Sequence, residues 1–502
     1  MKIRVPNYFK DFKCIASKCE DTCCAGWGIV IDDEALEKYQ KVQGDFGDRL
    51  RREIVHEGGE NIFILKDNNC PFLNENKLCD IYKEVGEDAL CYTCKQYPRY
   101  IEEFGGVREI GISLSCPEAA RIILGNSKKT TFELSENNEE ISNYNDINAN
   151  LYLQLLQSRK IVLDIIQDRN IDLNVRAVIT LKFIDEVQEK IDENEITAIK
   201  DVREKFSNED FINEFIKELD KYKNNKNKKY INIKEFFEVF KNLKHITPND
   251  PLGLNDAIRY FWQSEEDKEI YLSKHESFNN YYEECIYKFE NILVYFIFRY
   301  FMKAVFDYDV LAKIKTTIVS YLMIKELCVV KFTEEGRLTD SDIVDISHMY
   351  SKDIEHLEEN IEKLAEIFEI NDVFKVEEII NNTTKENVKE VKYTYSNRYF
   401  MTLVFVITEQ NEYLIPFMSQ EINNIKNGTL YKVSDFFERM SNIYNEEYVM
   451  ENLKENGGVP YKTDNYSKTH IYGFVLAIIV LFSSLIGVNI LKRKEVELKY
   501  EN

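Results

Sequence analysis

Glycine is almost missing from the middle of this 502-residue chain: none occurs between Gly125 and Gly253, and as far as residue 385 only Gly253 and Gly336 are present. Such a stretch cannot supply the glycine-rich loop after a strand that cradles a nucleotide phosphate, and Gly26, Gly28, Gly105 and Gly106 are too short a signal elsewhere. Positive charge is also short, with 65 Lys and Arg against 88 Asp and Glu and a formal net charge of −23. No basic stripe is available for a phosphate backbone, so nucleic acid is not an expected partner. The opening MKIRVPNYFKDFK lacks the apolar core of a secretory leader. Cysteine is scarce too, but only after residue 116, where Cys285 and Cys328 stand alone.

The other nine cysteines crowd the first 116 residues: Cys14, Cys19, Cys23, Cys24, Cys70, Cys79, Cys91, Cys94 and Cys116. Packing thiols would be spread through a core, whereas tight groups such as Cys23-Cys24 and the CxxC step Cys91–Cys94 suit ligands sharing one or two ions. Pro71, Pro98 and Pro117 stiffen the loops beside three of them. A disulfide framework would need an oxidising compartment and would leave one of nine thiols over, so metal or cluster binding is the expectation for all nine. Thiolates suit both zinc and iron–sulfur clusters. A single zinc would use four, and the surplus favours a cluster or two sites. Gly26 stands where a radical CxxxCxxC run after Cys19 and Cys23 would need its third cysteine, so that chemistry is not signalled.

Composition divides the chain. Residues 1–125 hold eleven of the eighteen glycines and four of the eight prolines and read as a loop-rich metal-binding module, followed by an acidic connector over 126–150. Residues 151–385 show apolar positions at helical spacing, and the spacing predicts helices over 151–167, 175–191, 208–222, 233–243, 281–306, 310–330 and 341–369. The run from Asn291 to Phe306 is the most apolar of these but carries Arg299 and Lys303, which makes it a core helix. Tyr281, Tyr282, Glu283, Glu284, Tyr287, Tyr295, Tyr300 and Tyr308 could build a channel for a lysine ammonium. His348 and His356, eight apart, could share a helix face. Core packing for the aromatics and ordinary side-chain roles for the histidines are the plainer readings.

Residues 386–453 read as a small α+β appendage and 454–470 as a linker. The 21 uncharged residues 471–491 are long enough for a transmembrane helix, with a basic tail over 492–502. The expected fold is therefore mostly α: a cysteine-rich module, a helical domain, an appendage and one C-terminal membrane span. The module and helical domain are expected on the cytoplasmic side of that membrane.

The stretches RVPNYFKDFKCIASKCEDTCCAGW, NCPFLNENKLCDIYKEVGEDALCYTCKQYPRY, EIGISLSCPEAARIIL and ENILVYFIFRYFMKAVFDYDV together resemble the flagellin lysine N-methylase family over residues 1 to about 383. The cysteine part, through Cys23, Cys24, Cys70, Cys79, Cys91 and Cys94, also resembles a zinc- or iron-chelating cysteine-rich domain. The resemblance implies methyl transfer from S-adenosylmethionine to lysine amines of flagellin, with the cysteines holding an iron–sulfur cluster or, alternatively, zinc. It assigns no catalytic or S-adenosylmethionine-binding residue, and it does not extend over 386–502. Two other readings of the thiols remain at this stage: a non-catalytic zinc or iron–sulfur module at the membrane, and a redox or electron-transfer protein.

Overall fold

A computed structural model describes residues 1–384 except 140–146, 223–224, 247–249, 251 and 265. Six short strands are present among these: β1 (Lys2–Pro6), β2 (Ile54–Glu57), β3 (Glu60–Phe63), β4 (Arg99–Phe104), β5 (Val107–Ile112) and β6 (Phe132–Glu136). β2 and β3 form a separate hairpin, and the other four make one sheet in the order β4-β5-β1-β6. The Gly105-Gly106 pair closes the β4–β5 hairpin, with Gly105 at a φ of +59° that favours glycine. β1 lies parallel to β5, pairing Lys2 with Val107 and Arg4 with Glu109, and antiparallel to β6, pairing Val5 with Glu133. A strand therefore falls inside the segment read from its polarity as a connector. Its alternating FELSE pattern is too short, and too exposed on the outer edge, to stand out in sequence.

The apolar periodicity beyond residue 148 becomes a stack of helices. Asn148 and Asp172 cap Ala149–Ile166 and Leu173–Asp192 by accepting from backbone amides. Asp309 caps the 26-residue helix Val310–Glu335, which stops at Gly336 in the left-handed conformation. Tyr287–Tyr300 is buried on nearly every face and packs on Val310–Glu335, Ala149–Ile166 and the helix Pro117–Gly125. Its apolar run is thus a core helix, broken at Phe301–Lys303 before the short helix Ala304–Asp307.

The single helix expected over 341–369 is instead three pieces. Asp340–Tyr350 runs into a wide π turn at Ser351–Glu355, and Glu358–Ile370 follows. All five residues of that turn are buried although they read Ser-Lys-Asp-Ile-Glu. Periodicity cannot reveal such a turn, because burial here is directed by polar partners rather than by an apolar stripe.

Two hydrophobic cores result. The large one joins the helices to the four-stranded sheet through Phe104 and Ile112, with Leu114 and Ala119 following just beyond the last residue of β5. The small one lies within the cysteine-rich region and is built on Ile29, Tyr39, Leu50, Phe63 and Phe72, together with Cys70 and Cys91.

The expectation of a membrane-spanning fold, a membrane partner and a single-pass location is corrected: no helix among the described residues is long and apolar enough to cross a membrane. The run 471–491 on which it rested lies outside the described residues, as do the appendage 386–453, the linker and the basic tail.

Candidate metal basin and its junction with the helical domain

Four chain segments bring the cysteines together through backbone pairing. The Cys70 amide donates to the Cys24 carbonyl at 2.7 Å, and the Gly26 amide to the Asn68 carbonyl at 2.9 Å, laying residues 24–26 along 68–70. The loop after Cys70 doubles back because the Asn74 side chain accepts from the amides of Asn76 and Leu78, which returns Cys79 to a bridge with Leu73. Asp32 fixes the fourth segment. One of its oxygens accepts from the Ala35 amide and the other from the Tyr92 amide at 2.5 Å, so a single carboxylate starts both Asp33–Lys41 and the CxxC turn Tyr92–Gln96.

Cys23, Cys24, Cys70, Cys79, Cys91 and Cys94 lie close enough to influence one another's ionisation. Cys94 donates a hydrogen bond to Cys91, which lowers the Cys91 thiol below its ordinary value and raises that of Cys94. The neighbouring Cys24, with burial, raises Cys23, and the two sulfurs stand 4.0 Å apart. Burial pushes Cys70 up to about 12 and raises Cys79. Cys116 borders this group through Cys23, and Cys19 neighbours both Cys116 and Cys14. Cys14 is exposed, burial raises Cys19, and Cys116 sits at the start of Pro117–Gly125 with its thiol pushed up to about 12 by burial.

All eleven cysteines are free thiols. Among the described residues no three Cys, His, Asp or Glu side chains converge on a common metal position. The six-thiol basin nevertheless fits a thiophilic ion in its chemistry. Its donors are all sulfur, and most hold their protons too tightly to become thiolates unless a cation compensates the charge.

Beside the basin the module meets the π turn. Asp21 pairs with Lys352 at 2.5 Å, and His348 faces the same carboxylate at 4.0 Å. Trp27 packs against His356 with ring centroids 4.3 Å apart, and Tyr97 lies 5.5 Å from Trp27 and 5.8 Å from His356. His356 Nε2 is 3.2 Å from the Ser115 hydroxyl, which stands 2.9 Å from that of Ser113. Ser113 in turn lies 3.4 Å from the Tyr295 hydroxyl. Tyr295 donates to Glu355 at 2.7 Å and Tyr300 at 2.9 Å, Ser351 adds a third hydroxyl, and Arg299 Nε closes the set at 2.7 Å. A continuous string of polar groups thus joins the buried Glu355 to His356 at the rim. Burial lowers both His348 and His356 to about 4, so both are neutral near pH 7.

Of the tyrosines and acids read as a possible ammonium channel, only Tyr295 and Tyr300 converge on a carboxylate. Tyr282 packs in the core against Phe278 and Phe289, while Tyr281, Glu283, Glu284 and Tyr308 are exposed. His348 and His356 point to different partners. The sequence reading passed over Trp27, Tyr97, Ser113, Ser115 and Glu355. The available signal was Arg299 inside an otherwise apolar helix, since a buried guanidinium requires a buried carboxylate.

Comparison with known proteins gives two family matches: the zinc- or iron-chelating CxxCxxCC domain over residues 13–111 and the FliB lysine N-methylase C-terminal domain over residues 159–382. The flagellar biosynthetic protein FliU of Salmonella muenchen is 33% identical over 133 residues, which cover 24% of this chain and 75% of that protein. A lysine-N-methylase of Salmonella choleraesuis is 32% identical over 133 residues, covering 24% of this chain and 31% of its own length, and one of Salmonella typhimurium matches to the same extent. The aligned stretch thus spans about a third of those two enzymes. No solved structure matches.

Proposed function

We propose, since this chain belongs to the FliB lysine N-methylase family, that it transfers methyl groups from S-adenosylmethionine to lysine side chains of flagellin, using a metal centre in the thiol basin. The observation that carries this reading is the meeting of the two family-matched regions at one polar junction, where Trp27 and Tyr97 from one pack on His356 from the other. Methylation of an amine needs a neutral nitrogen, a wall that excludes water and an acceptor for the proton. Aromatic faces and a neutral imidazole at a half-buried rim are groups of that kind.

Cys23, Cys24, Cys70, Cys79, Cys91 and Cys94 would hold the metal, an iron–sulfur cluster or zinc. When bound it would supply positive charge to the thiolates and tie four loops of the module together. Asp32 keeps the CxxC turn in place, and the Asp21–Lys352 pair keeps the module seated on the π turn. Acidic surface in excess favours the approach of a lysine-bearing protein.

The test is anaerobic purification of the full chain, assay of iron, zinc and sulfide, then incubation with flagellin and S-adenosylmethionine under intact-mass detection. Flagellin gaining mass in methyl steps supports the reading. Bound metal with no gain would leave the match to the chelating domain as the better guide, and the chain as a non-catalytic metal-binding protein.

A further inference from the structure

We propose that a cavity of about 240 Å³ on the helical domain, where Glu209–Glu218 meets Leu173–Asp192 and Val376–Thr383, is a docking site for a lysine-bearing segment of the protein substrate. This inference rests on the activity proposed above, because it takes a lysine-bearing protein as the substrate. The lining comes from residues 182–222 and 377–380 alone, so the cavity is separate from the thiol basin and from the junction around His356. Phe211, Glu214, Phe215 and Glu218 fall at i, i+3, i+4 and i+7 of one helix and line it with alternating rings and carboxylates. Tyr222 and Glu377 line it too, with the Tyr222 hydroxyl donating to Glu377.

Three observations name the occupant. The rings of this cavity already hold ammonium groups: Lys205 Nζ lies 4.8 Å from the Phe211 centroid and Lys221 Nζ 4.9 Å from that of Tyr222. Carboxylates are also in surplus. Lys205 is held by Glu186 at 2.7 Å and Lys182 by Asp185 at 2.8 Å, which leaves Glu214, Glu218 and Glu377 against Lys221, the one lining ammonium without an ion pair among the described residues. Glu214 and Glu218 stand one turn apart, and like charges so placed gain the helix nothing. Third, the volume lies below the roughly 300–1,000 Å³ of a pocket that encloses a whole small molecule, while Glu214, Glu218 and Glu377 are exposed. Such a recess suits an inserted side chain better than a cosubstrate.

The same chemistry makes this a place to hold a lysine rather than to methylate it. Carboxylates and ring faces favour the ammonium over the neutral amine, and an ammonium has no lone pair with which to attack a methyl group. A lysine seated here keeps its proton and tethers the substrate while a different lysine is modified. Tethering raises the effective concentration of the other lysines on the same molecule, which lowers KM and leaves the chemical step alone.

The experiment compares the anaerobically purified full chain with E214Q/E218Q, F215L and a control of equal charge change, E57Q/E60Q, whose residues are exposed on the β2–β3 hairpin away from the cavity. Flagellin binding is read by fluorescence anisotropy at low salt, methylation by KM and kcat, and folding by melting temperature. E214Q/E218Q should weaken flagellin binding about fivefold, the scale of two exposed ion pairs, and F215L about threefold, each with KM raised and kcat kept. E57Q/E60Q should leave both unchanged. Equal weakening in E214Q/E218Q and E57Q/E60Q would overturn the proposal, since net charge would then account for the effect. Loss of kcat at unchanged KM, or equally tight binding of lysine-acetylated flagellin, would overturn it too. If F215L does not fold, the exposed acid pair decides. If wild type transfers no methyl at all, the proposed activity fails and anisotropy alone judges the docking site: a loss confined to E214Q/E218Q and F215L supports it, and no binding or no such loss overturns it.

Discussion

Replacing Glu355 with leucine should come close to unfolding the helical domain, and replacing Arg299 as well should restore much of the loss. Glu355 is 4% exposed and accepts from Tyr295, Tyr300, Ser351 and Arg299. Removing it strands a guanidinium whose Nη1 already has no partner. An unpaired buried charge costs about 3–5 kcal/mol, and the freed hydroxyls add about 1 kcal/mol each where water does not reach them. Against total stabilities of about 5–15 kcal/mol, E355L alone removes a large share. R299M leaves the carboxylate with three hydroxyl donors and should cost less than E355L. The double variant E355L/R299M places two apolar side chains together and should be about 2 kcal/mol or more better than the sum of its parts. The assay is urea denaturation of all four proteins followed by far-ultraviolet circular dichroism. Strict additivity of the two single changes would refute the argument, since it would mean that the Arg299 charge does not depend on Glu355.

Acid should weaken the protein through two kinds of group. His348 and His356 are held at about 4 by burial against an ordinary 6.5, so the unfolded chain takes up protons first and their contribution, complete above about 6.5, fades as pH falls towards 4. Burial pushes Glu109 up, but Arg159 and then Arg4 more than reverse this and hold it below its ordinary value; its contribution, complete above that ordinary value, is lost as pH falls through the depressed one. Melting temperatures should fall from pH 8 to pH 3, and H348N should flatten the part of the fall that begins near pH 6.5. D32A should lose caps on two helices, about 1 kcal/mol each, and loosen Cys91 and Cys94 from the basin, read as lower metal content at a fixed chelator concentration. G26A should destabilise by about 1–3 kcal/mol in the same urea assay, because φ there is +97° and a Cβ would meet Ile246 Cγ2 at 2.3 Å. C70S and C91S should each lower the metal bound per chain, and full metal in both would remove these residues from the ligand set.

The helices were legible because apolar spacing and glycine scarcity act locally: Leu173–Asp192 and Val310–Glu335 begin at Asp caps visible in the sequence. The sheet was not. β1 finds its partners more than 100 residues away, and no local pattern encodes a pairing of Arg4 with Glu109. The crowding of nine cysteines could be read from the sequence, but which thiols neighbour one another, such as Cys116 beside Cys19 and Cys23, depends on how the module folds. The junction was legible only through Arg299. Ser113, Ser115 and Glu355 are ordinary polar letters until tertiary contacts align them with Tyr295 and His356.

The central position of β1 in its sheet bears on how the polypeptide is made. A nascent chain emits residues 2–6 before their neighbours at 107–109 and 132–136, which emerge more than a hundred residues later. At roughly 5–20 residues per second, that segment waits several seconds with Val5 and the nearby Tyr8 and Phe12 unsheltered. Translation pauses before residue 136 would lengthen the wait, and holdase chaperones that grip extended apolar strands should be found on ribosome-bound chains arrested there, then lost once β6 has emerged.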